Sequence, residues 1–203
     1  RHWSVVKAYG MESKAKLCID EWGCWHNDKS GLATKDHLFE QQSTLRDAVV
    51  SALTLNIFNN NCEKIRLAAV AQLVNNLHTL FLSLGNDCIA TPTYHVFNMF
   101  KSHQGGEAFR VIGNDDISAS ASAKDGEVTI TLANLSPGND HELDLESVGF
   151  ELGEGRLTLL ADDDLHAHNT FAAPERLKPV EKQFGKVIEL PRGGIVSIKA
   201  KLS

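Results

Sequence analysis

The chain has 203 residues, an ordinary apolar share of 42% and a net charge of −6. That size allows one or two domains. Mild acidity argues against a general nucleic-acid grip, which needs a basic face, and no stretch approaches the roughly 20 apolar residues of a membrane-spanning helix.

Cysteine and histidine usage narrows the chemistry. Cys18, Cys24, Cys62 and Cys88 form no C-x-x-C pair, and zinc ligands recur at closer spacing. Unpaired cysteines, two of them beside a strand-like run, fit a reducing compartment better than a disulfide framework, so the expected location is cytoplasmic. His166-Ala167-His168 is a close pair without further ligands; neither a metal nor a cofactor is expected. Asn134-Leu135-Ser136 is a formal glycosylation sequon of the kind that arises by chance. The chain begins Arg1-His2-Trp3, with no initiator Met and no signal-peptide pattern.

In chain order, residues 4–9 read as the tail of a helix with Gly10 as its stop. Residues 16–19 form an apolar run, expected as a strand buried on both faces. It ends in Asp20-Glu21-Trp22-Gly23-Cys24-Trp25. Acids flanked by tryptophans make poor core, and in parallel β/α architectures catalytic groups stand at the carboxyl ends of strands. Glu21 is therefore the first candidate for a catalytic carboxylate; a solvated loop is the plainer reading of the same pair. Alternation along a strand puts Asp20 on the side opposite Glu21, as a structural acid. Residues 26–37 read as a loop above the strand end.

Ser43 or Thr44 caps a helix running to about Asn59, with Asp47 in its first turn. Leu45, Val49, Ala52, Leu53 and Ile57 give it one apolar stripe, which is core rather than a cofactor box. Residues 65–70 are a second apolar run, carrying Gln72 and Asn75 at its end. Strand, helix, strand makes a βαβ unit and a parallel sheet. Gln72 alone reads as backbone-bonding amide. Thr91-Pro92 starts a helix that ends near Ser102, in which His95 packs or points outward. Gly105-Gly106 marks a domain boundary.

Beyond it the period changes to two. Short alternating strands are expected at 117–123, 128–132, 143–145, 157–160, 187–190 and 195–202, with turns at Asp125-Gly126, Pro137-Gly138, residues 153–155 and Arg192-Gly193-Gly194. This is the pattern of an antiparallel sandwich, expected as structural support rather than as a glycan-binding module.

Asp20-Glu21-Trp22-Gly23-Cys24-Trp25 also resembles the nucleophile segment of the α-L-arabinofuranosidases of glycoside hydrolase family 51. The likeness continues, in order, through Gln41-Gln42-Ser43-Thr44-Leu45-Arg46-Asp47-Ala48, Leu53-Thr54-Leu55-Asn56-Ile57-Phe58, Ala71-Gln72-Leu73-Val74-Asn75, Thr91-Pro92-Thr93-Tyr94-His95-Val96-Phe97 and His168-Asn169-Thr170-Phe171. The resemblance implies an α/β plus all-β chain: residues 1–105 as the last strands and helices of an incomplete (β/α)8 TIM barrel, residues 106–203 as a jelly-roll-like β-sandwich. It implies retaining hydrolysis of terminal α-L-arabinofuranosyl groups, Glu21 as nucleophile, Trp25 and Gln72 lining the sugar pocket, an arabinofuranosyl oligosaccharide or polysaccharide as partner, and a homo-oligomer. No residue matches the family's general acid/base Glu, which lies on an earlier strand. The chain is therefore expected to be the carboxyl-terminal portion of a longer enzyme, inactive alone. The competing readings are a non-catalytic docking or carbohydrate-binding piece and a barrel glycosidase for another sugar, such as a xyloside.

Overall fold

The computed structural model describes residues 1–27, 40–185 and 187–202. From residue 28 onward, the loop expected over residues 26–37 lies outside the described residues.

Helix α1 (His2–Ala8) stops just before Gly10. Strand β1 (Leu17–Trp22) pairs in parallel with β2 (Ile65–Val70), and α2 (Leu45–Asn59) connects them. This is the expected βαβ unit. Among the described residues the two strands form a sheet by themselves, which corrects the expectation of burial on both faces: Cys18 is exposed and Leu67 is 52% exposed, because no further described strand flanks the pair.

Thr44 caps α2 in an extended conformation. The Asp47 carboxylate reaches back, accepting from the Thr44 backbone N–H at 2.8 Å and from its hydroxyl at 2.9 Å. That satisfies a donor which every helix start leaves orphaned. The buried face of α2 is Leu45, Ala48 and Ala52 together with the polar Asp47, Ser51 and Asn56. Ile57, assigned to the apolar stripe from spacing, is 48% exposed. The helix is covered from two directions rather than along one stripe, so the spacing misjudges its faces.

A hairpin not foreseen, β3 (Phe81–Leu84) and β4 (Asp87–Ala90), leads into α3 (Pro92–Phe100). Thr91 caps α3, accepting from the Tyr94 backbone N–H at 3.4 Å. A 3₁₀ turn, Lys101–His103, follows.

The remaining strands are β5 (Glu107–Phe109), β6 (Ile117–Lys124), β7 (Glu127–Asn134), β8 (His141–Asp144), β9 (Leu152–Leu160), β10 (Val180–Gln183), β11 (Val187–Leu190) and β12 (Ile195–Leu202). Six form an antiparallel sheet in the order β10-β9-β12-β7-β6-β5, and β8 pairs with β11 in a separate ribbon. The short edge strands β5 and β10 were not foreseen. Asp125 and Gly126, at φ +52° and +78°, make the tight β6–β7 turn with the two left-handed positions of a type I′ hairpin.

Alternation along the strands gives the sheet two faces. Val196, Ile198 and Ala200 of β12 join Leu132 of β7 and Leu157 of β9 in a core shared with Ile188 and Leu190 of the ribbon. Ile195, Ala133 and Leu160, the intervening parity, pack instead with Leu45, Ala48 and Ala52 of α2 and Val96, Met99 and Phe100 of α3. Each fully buried Leu or Ile contributes about 2–3 kcal/mol. The arrangement is sandwich-like, with helices covering the outer face of the large sheet.

That helix-facing side is partly polar. The Ser-Ala alternation of β6 turns Ser118, Ser120 and Ser122 toward α2 and the 3₁₀ turn. Asn56 Oδ1 accepts from Ser120 Oγ at 2.7 Å and Thr131 Oγ1 at 2.8 Å. With those hydroxyl hydrogens committed, Thr131 Oγ1 must accept from His103 Nε2 at 3.0 Å, and Ser122 then donates to Nδ1 at 2.8 Å. Burial holds His103 neutral, with its pKa lowered to about 4.

Candidate active site

β1 delivers its acids through an irregular register. Ile19 aligns with Ala68 and Trp22 with Val70, so two residues, Asp20 and Glu21, stand opposite Ala69 alone. Such a bulge re-aims side chains and is common beside active sites. Both acids are exposed. The expectation that Asp20 points opposite Glu21 assumed unbroken alternation, and the bulge removes that ground.

Gln72 is the second residue past β2; before it, the Ala71 backbone N–H donates to the Trp22 carbonyl at 2.8 Å. It is exposed. Glu21 and Gln72 thus stand at the carboxyl ends of two adjacent parallel strands. Trp25, three residues past β1, is 50% exposed, leaving an aromatic face open to a ligand.

The turn carrying Trp25 is held from beneath. Trp22 is buried, stacked on Phe97 at 5.9 Å and edge-on to Phe58 at 5.5 Å and His78 at 6.1 Å. Buried there, it offers no open aromatic face to a ligand. Gly23 takes φ +152°, and a Cβ there would lie 2.7 Å from the His78 Cβ, so only glycine fits. The Cys24 backbone N–H donates to His78 Nδ1 at 3.0 Å, and its carbonyl accepts from Gln41 Nε2 at 2.8 Å. The His26 backbone N–H donates to Gln41 Oε1 at 3.0 Å. The His26 ring lies 3.0 Å from the buried Asp47 carboxylate and 3.1 Å from Arg46. Burial, with the Asp47 charge adding to it, pushes the Cys24 thiol up to about 12.

Beyond Gln72, Asn75 and Leu77 take φ +58° and +50°, left-handed values that non-glycine residues rarely hold. Asn75 is fixed by bonds to Ser83, accepting from its N–H at 2.6 Å and donating to its carbonyl at 2.8 Å. Asn75 therefore anchors the β3 hairpin, whereas His78, Ser51 and Gln41, which support the turn, were not singled out from sequence. The available signal was Gly23, whose place between two tryptophans implies a close neighbour.

Other candidates resolve as structure. Asn134 is buried and donates to the carbonyls of Asn139 and Pro191 at 2.8 and 3.0 Å. Asn169 donates to the Ala90 and Leu177 carbonyls at 2.9 and 3.0 Å, tying the His168-Asn169-Thr170-Phe171 segment to β4. His95 packs half-buried beside Tyr94. A separate open groove of about 580 Å³ is lined by Asp162, Asp163, Asp164, Arg176 and Pro191. Its Asp162 is ion-paired with Arg176, and none of Glu21, Trp25 and Gln72 lines it. Among the described residues, no group of three or more His, Cys, Asp or Glu could hold a metal ion, and no helix is long and apolar enough to cross a membrane.

Comparison with known proteins gives a consistent result. The family model described as "Alpha-L-arabinofuranosidase C-terminal domain" matches residues 20–198. The chain is 31% identical to an intracellular exo-α-L-arabinofuranosidase of Bacteroides ovatus, over 98% of this chain and 42% of that protein. It is 27% identical to an intracellular exo-α-(1→5)-L-arabinofuranosidase of Bifidobacterium longum, over 80% of this chain and 36% of that protein. Among solved structures, the GH51 arabinofuranosidase from Xanthomonas axonopodis pv. citri superposes with a TM-score of 0.86 at 31% identity, covering 98% of this chain and 44% of that one. The Thermotoga maritima α-L-arabinofuranosidase shares the fold, with a TM-score of 0.79 at 17% identity. The chain spans less than half the length of these relatives. It belongs to the α-L-arabinofuranosidase C-terminal domain family.

Proposed function

We propose that this chain is the carboxyl-terminal part of a retaining glycosidase that releases terminal non-reducing α-L-arabinofuranosyl groups from arabinose-containing glycans. Glu21 is the nucleophile, and Trp25 and Gln72 line the sugar pocket. The observation that carries the reading is the placement of Glu21, on a bulge, and Gln72 at the carboxyl ends of paired parallel strands, where β/α barrels gather their catalytic groups. The names of the relatives support the substrate class. Their word "intracellular" supports a location inside the cell; assembly as a homo-oligomer rests on the family resemblance alone.

In this reading β1 and β2 are two strands of a (β/α)8 barrel whose other strands precede Arg1, and residues 106–203 are its supporting sandwich. The Glu21 carboxylate attacks the anomeric carbon as the glycosidic C–O bond breaks, forming a glycosyl ester. A second carboxylic acid, supplied by the preceding barrel, protonates the leaving oxygen and then takes a proton from the water that cleaves the ester. Retaining enzymes hold two such groups about 5–5.5 Å apart. Gln72 bonds a ring hydroxyl, which aids catalysis to the extent that the bond strengthens in the transition state. Trp25 covers the sugar face. The present chain alone, lacking the second acid, is expected to show no turnover.

Methanolysis tests the stereochemical claim. With methanol as acceptor, the intact enzyme is expected to convert an aryl α-L-arabinofuranoside into methyl α-L-arabinofuranoside, read by NMR. A β-configured product would overturn the retaining assignment.

A further inference from the structure

We propose that His78 is the positioning residue of this site: its imidazole fixes the turn between Glu21 and Trp25 by accepting the Cys24 backbone N–H, and locks that turn to the loop after Gln72 and to α2. The inference rests on the reading of Glu21 and Trp25 as site residues.

Three contacts carry it. His78 is fully buried, and its side chain meets every residue between the two candidates. Its ring stands edge-on to Trp22, its Cβ occupies the space a Gly23 side chain would need, and its Nδ1 takes the Cys24 N–H. An amide N–H only donates, so Nδ1 carries no proton. Burial disfavours the imidazolium, against the pull of the Asp47 carboxylate. The single ring proton is therefore on Nε2, where it donates to Ser51 Oγ at 2.9 Å. Ser51 is itself fully buried on α2, so the ring cannot rotate without losing a partner at each end. His78 also sits one residue beyond Leu77, which holds φ +50°. The backbone strain of the loop after Gln72 and the φ +152° of Gly23 thus converge on one side chain. Hydrogen bonds of this supporting kind orient the groups that do the chemistry.

The test compares His78→Asn with His78→Leu in the intact enzyme. The two side chains have nearly the same shape, and the Asn Oδ1 falls where Nδ1 stood. Ser51→Ala keeps the ring and serves where a His78 variant folds poorly. Activity on an aryl α-L-arabinofuranoside is read together with hydrogen exchange of the peptide containing Cys24. His78→Leu is expected to lower kcat/KM about 100-fold, the scale of a small misplacement at a reacting centre, and to speed Cys24 amide exchange. His78→Asn is expected to lose no more than the roughly fivefold to tenfold that follows from giving up the Ser51 bond, and to keep the Cys24 amide protected, because the accepted bond survives. Ser51→Ala is expected to lose about fivefold to tenfold, the scale of one neutral hydrogen bond. Equal activity and equal exchange in the Asn and Leu variants would overturn the inference, since shape alone would then explain His78. A wild-type enzyme inert toward the glycoside would instead overturn the glycosidase reading, and the exchange contrast at Cys24 would still decide whether His78 holds the turn.

Discussion

At the scale of single residues, chemical character is set by what encloses each group. Cys24 is the clearest case. Cys18, Cys62 and Cys88 are exposed, whereas Cys24 is partly covered and its thiol is pushed up to about 12 by burial and by Asp47. The thiolate is the reactive form. Iodoacetamide at pH 8 is therefore expected to alkylate Cys62 and Cys88 in the folded protein and to spare Cys24, as read by peptide mass spectrometry. Alkylation of Cys24 at the rate of those two would contradict this picture of the turn. Glu21 could be proposed from the residues themselves because acids beside tryptophans at a strand end are chemically out of place in a core, whereas Trp25 and Gln72 were proposed as pocket residues from the family resemblance. His78 could not, because nothing in Asn75-Asn76-Leu77-His78-Thr79 distinguishes an anchored imidazole from a loop histidine. The opposite facing of Asp20 rested on unbroken alternation, and sequence could not foresee the irregular register: a bulge is a property of pairing between strands and leaves no local trace.

At the scale of elements, α2 joins the site to the sandwich. Its Ser51 and Asp47 serve the turn after β1, and its Asn56 is bonded to the hydroxyls of β6 and β7. The same polar layer holds His103 between Ser122 and Thr131. Its folded pKa, about 4, lies below the ordinary 6.5. The unfolded chain therefore binds the proton more readily, and the contribution of His103 is fully present above pH 6.5 and lost as pH falls toward 4. A shift of that size corresponds to about 3 kcal/mol. His78, lowered by burial too, acts in the same direction. Urea titrations from pH 7 to pH 4 are expected to show stability falling with pH, and His103→Gln is expected to flatten the slope. An unchanged slope in that variant would mean that His103 is not held neutral by the fold. The element pattern was largely legible. Caps at Thr44 and Thr91, the Asp125-Gly126 turn and the period-two runs located α2, α3 and six sandwich strands. The edge strands β5 and β10 were missed because their side chains are largely exposed and show no apolar alternation, and the β3–β4 hairpin, in which only Ile89 is buried, shows none either. The buried face of α2 was misread because polar side chains bury readily once partnered, and spacing alone counts only apolar ones.

At the scale of the whole molecule, one sheet serves two cores. One face meets the β8–β11 ribbon, and the other meets α2 and α3. The boundary expected at Gly105-Gly106 precedes β5, yet helices from before it and strands from after it share buried side chains. Removing residues 106–203 would therefore strip α2 and α3 of their cover. The sandwich is proposed to support the site through α2 rather than to bind substrate itself. The two-stranded parallel sheet has no flanking strands among the described residues, and the chain covers less than half of its relatives. Both observations fit a site completed by a preceding barrel. Chain order and resemblance suggested the βαβ unit and the sandwich-like sheets; how the helices seat on the sheet depends on long-range packing that no local pattern encodes.

The most direct test of the account is the turnover of an aryl α-L-arabinofuranoside by the intact enzyme and by its Glu21→Ala variant, with and without azide. If Glu21 is the nucleophile, the variant is nearly inactive, and azide restores turnover with release of a glycosyl azide of inverted anomeric configuration. A variant that keeps parental activity without azide would contradict the assignment of Glu21 and the site built around it.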